Sequence, residues 1–437
     1  MTITDSSTTR YQLGAWDLSD LLPDAADERV AGLLRSIEGR VASLEAKRAG
    51  LETITAPELL EIVRLYEAVT EEMSVLGAYA SLRVSADTQD ESAIALRNRV
   101  NHELTVLGNR ILFFTLWWKG LPEERARTLA PDSTVDPDAA FFLLDQRRLS
   151  AYALDERAEQ IINTKDTDGI GGVLTVFSML TNRLTFKLEV EGEQRELTRD
   201  ELASCFLSPD AGLRERAYRE LGRVLQHDSK VLGQIYAHRV RDWYNEQVKL
   251  RGYASPIAVR NLSNDVPDRA VTALLEASER NAPHFHRYFR LKAARLGKTS
   301  PAPPDPPGMS RPGQQRLRRY DLYAPFGEGD RRVEYADAVA MVLDTFAAFH
   351  PRFAREARRV FERGHIDSEI RPGKRGGAFC ASVLPRHTPW LHVNYTGRLR
   401  DVATLAHELG HAVHGMLASD HSVLTFHPSL PLAETAS

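Results

Sequence analysis

Cysteine is nearly absent. Cys205 and Cys380 are the two in a chain of 437 residues, and they lie far apart. That argues against a disulfide scaffold and fits a reducing cytosol. A surplus of either charge is also missing: 56 Lys and Arg stand against 60 Asp and Glu, for a net charge of −4. No electrostatic footprint for nucleic acid or an acidic membrane follows from such a balance. Long hydrophobic runs are lacking. ILFFTLWW at 111–118 is the longest aromatic-rich apolar run, too short to span a bilayer, and it reads as a buried helix segment. The opening MTITDSSTTRYQLGAWDLSD has neither a basic n-region nor an apolar h-region, so no signal peptide is expected. No repeat is evident. What remains is 43% apolar and 27% charged residues, normal for a soluble globular protein and enough chain for two or three domains.

What is present is mostly helical pattern. Trp16-Asp17-Leu18 offers an aromatic anchor, and Val30, Leu33, Leu34, Ile37, Val41 and Leu44 recur at helical spacing across 24–50. Thr55-Ala56-Pro57-Glu58 is a capping box opening a helix through about residue 75. A third helix is expected from 90 to 118, and further helices fill 123–183. RLTFKLEV turns through Glu191-Gly192-Glu193 into QREL, the first convincing strand pair. Thr198 to Glu201 is another capping box, and Ser208-Pro209-Asp210 reads as a helix start with Ser208 as cap. RGYASP at 251–256 breaks the following helices. Residues 297–313, GKTSPAPPDPPGMSRPG, are dense in proline and read as an exposed loop or linker. One helix is expected over 333–363, and GGAFCASVL and WLHVNY read as a strand pair. An extended peptide pairing with the free edge of that pair is one use for it; a purely structural hairpin is the other.

The hairpin leads into DVATLAHELGHAVHGML, which contains His407-Glu408-Leu409-Gly410-His411. At about 100° per residue, His407 and His411 share one helix face roughly 40° apart. Val402, Leu405, Leu409, Val413 and Met416 form the opposite, apolar side. Two His at i, i+4 supply two nitrogen ligands for a tetrahedral Zn²⁺, and Glu408 flanks the metal where it can take a water's proton. A solvated face that happens to hold two His is the alternative. Glu434, in LAETAS beyond two helix-ending prolines, is the candidate third ligand; it fits equally an acidic residue in a helix first turn. His414 shares the metal face and is read as a supporting or packing residue, and Asp401 as a helix cap. His387 and His392 read as ordinary surface or core histidines, and Cys380 as a small buried hydrophobe.

With these residues in place, the chain resembles the thimet-oligopeptidase-like zinc peptidases, specifically the oligoendopeptidase F branch. The resemblance is carried by Trp16-Asp17-Leu18, RGYASP, YDLY at 320–323 and GKRGGAFC at 373–380, and above all by LHVNYTG at 391–397, DVATLAHELGHAVH at 401–414 and LAETAS at 432–437. It implies a mainly α fold, with two helical lobes around a deep channel and a small β-sheet beside the zinc helix. It implies a cytosolic zinc endopeptidase that cleaves internal bonds of short peptides; the charge balance already argues against a nucleic acid or membrane partner. It makes His407, His411 and Glu434 the zinc ligands and Glu408 the general base, with Ser437 completing an E-x-x-S pattern. The expected division is an N-terminal helical region over 1–197 and a catalytic domain over 198–437. Family members continue well past the third ligand, into a segment that supplies a His and Tyr residues for substrate and oxyanion; this chain ends three residues after Glu434, so a truncated enzyme is expected. Two readings compete: a helical protein that binds zinc or peptide without turnover, and a zinc aminopeptidase with the same ligands.

Overall fold

A computed structural model describes residues 11–23, 27–297, 317–326 and 332–437. Of the proline-rich stretch at 297–313, Gly297 alone lies among them. The chain is mostly helical, with small sheets, as expected. It forms two compact units. One draws on Met1–Arg183, Gln234–Asn264 and Val333–Ser437, the other on Leu184–Gly233 and Asp265–Arg332. No described helix is long and apolar enough to cross a membrane.

The first unit opens with α1 (Asp27–Glu45), α2 (Ala56–Ala86), α3 (Glu91–Gly120), α4 (Glu123–Leu129), α5 (Pro137–Arg148), α6 (Glu156–Asp168) and α7 (Ile170–Asn182). The Thr55 box forms: its N–H donates to Glu58 Oε2 at 2.9 Å. α2 runs past residue 75 because nothing before Asp87 breaks it, and Asp90 then caps α3 through the Ser92 and Ala93 N–H groups. Phe113, Phe114 and Trp118 of the aromatic run are core residues. Trp16 is buried in the same apolar cluster, against Phe379 and His392, and the Trp390 indole donates to the Asp17 carbonyl at 2.7 Å, which docks the N-terminal anchor.

The second unit contains β1 (Phe186–Val190), β2 (Glu193–Leu197), α8 (Arg199–Cys205) and α9 (Ala211–His227). Positive φ at Glu191 and Gly192 makes the tight hairpin turn. The cap of α9 is Asp210, not Ser208; Asp210 accepts from the Gly212 and Leu213 N–H groups, and Ser208 Oγ accepts from Asp210. α10 (Ser229–Tyr244) and α11 (Pro256–Ser263) follow, then α12 (Asp268–Arg295) in the second unit. The YDLY motif acquires a physical reason here. Asp321 is fully buried and takes the Arg214 guanidinium at 2.7 Å, while Arg214 also donates to the Ser208 and Pro209 carbonyls. In RGYASP of the first unit, Arg251 pairs with Glu159 and Glu246, and Tyr253 stacks on Tyr152 at 3.6 Å.

The expected helix over 333–363 is two helices, α13 (Tyr335–Phe349) and α14 (Pro351–Glu362). Pro351 forces His350 out of the helical region, to φ −161° and ψ 128°. β3 (Ile366–Asp367), β4 (Phe379–Ala381) and β5 (Trp390–His392) then form a sheet in the order β3-β5-β4. β4 and β5 are the expected antiparallel pair, in register Cys380 to Leu391. β3, parallel to β5, is too short to announce itself in the sequence. α15 (Leu399–Leu417) and α16 (Leu430–Glu434) complete the unit.

GKRGGAFC owes its place to a buried charge cluster under this sheet. Lys374 Nζ sits 2.8 Å from Asp367 Oδ1 and donates to the carbonyls of Glu369 and Val393. Arg371 makes a bidentate pair with the same carboxylate. Burial pushes the Asp367 carboxyl up, but Arg371 and Lys374 outweigh it and hold the group below its usual value. Because its folded pKa lies below the unfolded value of about 3.9, its contribution is complete above that pH and is lost as pH falls through the folded pKa. Asp367→Asn is therefore expected to melt below the parent at pH 7, by roughly 2–4 °C per kcal/mol lost, with the gap narrowing toward pH 3. A gap independent of pH in thermal melts would contradict this linkage.

Candidate metal centre

α15 starts where Asp401 Oδ2 accepts from the Thr396 N–H at 2.7 Å and the Arg398 N–H at 3.0 Å, so Asp401 is a cap. Val402, Leu405, Leu409, Ala412, Val413 and Met416 are buried in one cluster with residues of α13, α14 and β5. This apolar back fixes the helix rotation and turns His407 and His411 to the front, half-buried. Their rings lie 4.7 Å apart at 84°.

Two glycines let other segments reach that helix. A Cβ on Gly410 would strike the Ala436 carbonyl and come within 3.1 Å of Ser437 Cα. One on Gly415 would sit 2.6 Å from Ser382 Oγ. α16 uses the first gap to bring Glu434 in: its Oε2 is 3.8 Å from His407 Nε2 and 4.0 Å from His411 Nε2. Ser437 Oγ donates to the Glu434 carbonyl at 3.1 Å and to Oε2 at 3.2 Å, which orients the carboxylate. The functional weight of Gly410 was missed from sequence. The available signal was a glycine inside a strong helical pattern, which costs stability and so points to a close approach.

His407, His411 and Glu434 offer ligand atoms that all lie within 4.8 Å of one another, and among the described residues no fourth group joins them. A tetrahedral zinc with bonds of about 2.0–2.1 Å spaces its ligands by about 3.4 Å, so small side-chain rotations close this set. Two imidazoles and a carboxylate suit zinc, and three protein ligands leave a position open, as catalytic sites require. His414 stays outside the group but lines the same cleft.

That cleft has a volume of about 460 Å³ and is walled on one side by Ala378 to Ser382, the β4 segment. Glu408 faces into it at 5% exposure. Burial, and then the Glu434 charge, push its carboxyl up to about 7. Burial and the His407 charge lower His411. The Cys380 thiol is pushed up by burial and by Glu408, so it is an unreactive apolar group in the wall. His392 is a core histidine: it stacks on Phe379 at 4.8 Å, and burial holds its pKa down to about 4.

Comparison with known proteins bears on this site. The profile of peptidase family M3 matches residues 205–437. An oligoendopeptidase F homolog from Lactococcus lactis subsp. lactis is 22% identical over 428 residues, covering 97% of this chain and 67% of its own length. The structure of oligoendopeptidase-F from Enterococcus faecium superposes with a TM-score of 0.59 at 18% identity, over 76% of this chain and 62% of that one. PZ peptidase A, solved with an inhibitor, gives a TM-score of 0.70 at 15% identity, over 99% of this chain and 69% of its own. The chain thus spans about two thirds of the length of such relatives.

Proposed function

The chain belongs to peptidase family M3, and from that premise we propose that it is a zinc-dependent oligoendopeptidase acting on internal bonds of short peptides. The observation that carries this reading is the convergence of His407, His411 and Glu434 beside the buried carboxylate of Glu408. The similarity to oligoendopeptidase F proteins supports the substrate class. Catalysis belongs to region 198–437, which holds every one of these residues, and the low cysteine content is consistent with a cytoplasmic protein.

His407, His411 and Glu434 would hold the metal, and Ser437 keeps Glu434 turned toward the two imidazoles. Bound there, zinc supplies a Lewis acid and a positive charge, which lower a water's pKa, polarise a carbonyl and offset the Glu434 charge that raises Glu408. Glu408 takes the proton of the attacking water as general base. It then returns that proton to the leaving amine. Phe379 and Phe426 supply apolar surface to the lining of the cleft where that exchange takes place. The free edge of β4 lies along the cleft and offers backbone groups to an extended peptide.

The test pairs zinc content with cleavage of an internally quenched peptide blocked at both ends. Stoichiometric zinc, cleavage lost on chelation and regained on adding zinc are the expected results. Zinc without cleavage would favour a zinc- or peptide-binding protein. Cleavage restricted to peptides with a free N-terminus would favour an aminopeptidase. Absence of zinc would remove the ligand assignment.

A further inference from the structure

Arg97 and Arg375 are two cations that pair with no carboxylate among the described residues. Arg97, on α3, is half-buried in the wall of a cleft of about 890 Å³ that it shares with Ser81, Asn98, Asn101 and Thr105. Its Nη2 donates to Thr175 Oγ1 at 3.0 Å. Among the described residues it pairs with no carboxylate, and Asp168, the acidic side chain in the same lining, forms no ion pair with it. Arg375 precedes β4. Its guanidinium lies over the Phe379 ring, 5.0 Å from the centroid, and it too has no carboxylate partner among the described residues. The Arg375 backbone N–H donates to the Ser85 carbonyl at 3.1 Å. That bond ties its loop to α2 one turn beyond Ser81, at the wall of the Arg97 cleft. Burial and the Arg375 charge together hold the Arg97 guanidinium below its usual value, as two close, uncompensated like charges do.

We propose that Arg97 and Arg375 anchor a carboxylate of the peptide substrate on the C-terminal side of the cleaved bond, an inference that rests on the peptidase reading above. Guanidinium groups bind carboxylates through charge-assisted, often bidentate hydrogen bonds. Phe379 joins the two places, since its ring touches Arg375 and lines the catalytic cleft. Direction follows from topology. A peptide paired antiparallel with the free edge of β4 runs its C-terminal end toward the start of that strand, where Arg375 stands. A parallel peptide would bring its ammonium group against two guanidiniums. The pair therefore selects peptide orientation as well as composition. The carboxylate has two sources: the C-terminus of a short peptide, or an Asp or Glu side chain in a longer one.

Fluorescence anisotropy on the zinc-supplemented Glu408→Gln chain measures binding without turnover. Three labelled peptides share one core: a free acid, its amide, and an amide with Glu at the last position. The free acid is expected to bind about tenfold or more tighter than the amide. Adding Arg97→Gln and Arg375→Gln should close that gap to below about twofold, while Arg97→Lys with Arg375→Lys should keep most of it. Recovery of affinity by the Glu-bearing amide assigns the pair to acidic side chains as well; no recovery assigns it to the terminus. Equal affinity for acid and amide, or a gap that survives the double Gln substitution, overturns the proposal. Failure of the parent chain to cleave any peptide would overturn the peptidase reading instead and leave these binding ratios readable.

Discussion

Glu408→Gln is expected to lower kcat by about 10²–10⁴-fold with zinc content unchanged. Gln copies the shape of Glu408, so the core packing of Leu405, Leu409 and Ala412 on the same helix is undisturbed. Its amide accepts no proton at neutral pH, so the attacking water keeps its own. Glu408 stands outside the group of His407, His411 and Glu434, so removing its charge takes no ligand away. Burial and the Glu434 charge work against an ionised Glu408 in the metal-free chain, so the neutral variant should melt at or above the parent temperature. Metal analysis, steady-state rates and a thermal melt on the two proteins decide the matter. Full turnover in the variant would remove the general-base role. Loss of zinc would make Glu408 a ligand.

Gly410→Ala is expected to weaken zinc affinity by at least about 10–100-fold, the cost usual for disturbing groups that orient a ligand. The new methyl meets backbone, the Ala436 carbonyl and Ser437 Cα, which cannot rotate aside as a side chain would. The segment that holds Glu434 must retreat, and Glu434 Oε2 leaves its place near 4 Å from both imidazoles. The helix itself gains from the change, by about 1 kcal/mol of intrinsic propensity. Melting temperature should therefore hold or rise while metal binding and cleavage fall together. Gly222→Ala in α9, where no atom lies within 4 Å of the added Cβ, is the control that gains stability and leaves zinc affinity alone. Chelator competition on the two variants measures the difference. Unchanged affinity in Gly410→Ala would mean that residues 434–437 do not hold the metal.

Helix positions were legible where their causes are local. The Thr55 and Thr198 capping boxes, the apolar stripe of α15 and the turn at Glu191-Gly192 each depend on residues within a few positions of one another. Local signals failed where two of them competed. Both Ser208 and Asp210 are good caps, and the carbonyls of Ser208 and Pro209 are drawn to Arg214, which leaves Asp210 at the helix start. Proline at 351 was visible, yet the strong helical pattern on both sides hid the break it makes.

The sequence by itself determined that His407, Glu408 and His411 share one helix, because a period of 3.6 residues decides which side chains are neighbours. It could not choose between a ligand and an ordinary acid at Glu434, whose approach depends on a long loop and on the missing side chain of Gly410. Nor does chain order reveal that three separate segments build the unit carrying His407, His411 and Glu434. Lys374 under the sheet and Arg97 against Thr175 owe their surroundings to packing between distant segments, and only the tertiary structure decided those environments. Periodicity is a property of consecutive residues, whereas burial, charge pairing and close backbone approach belong to whatever part of the chain folds against them.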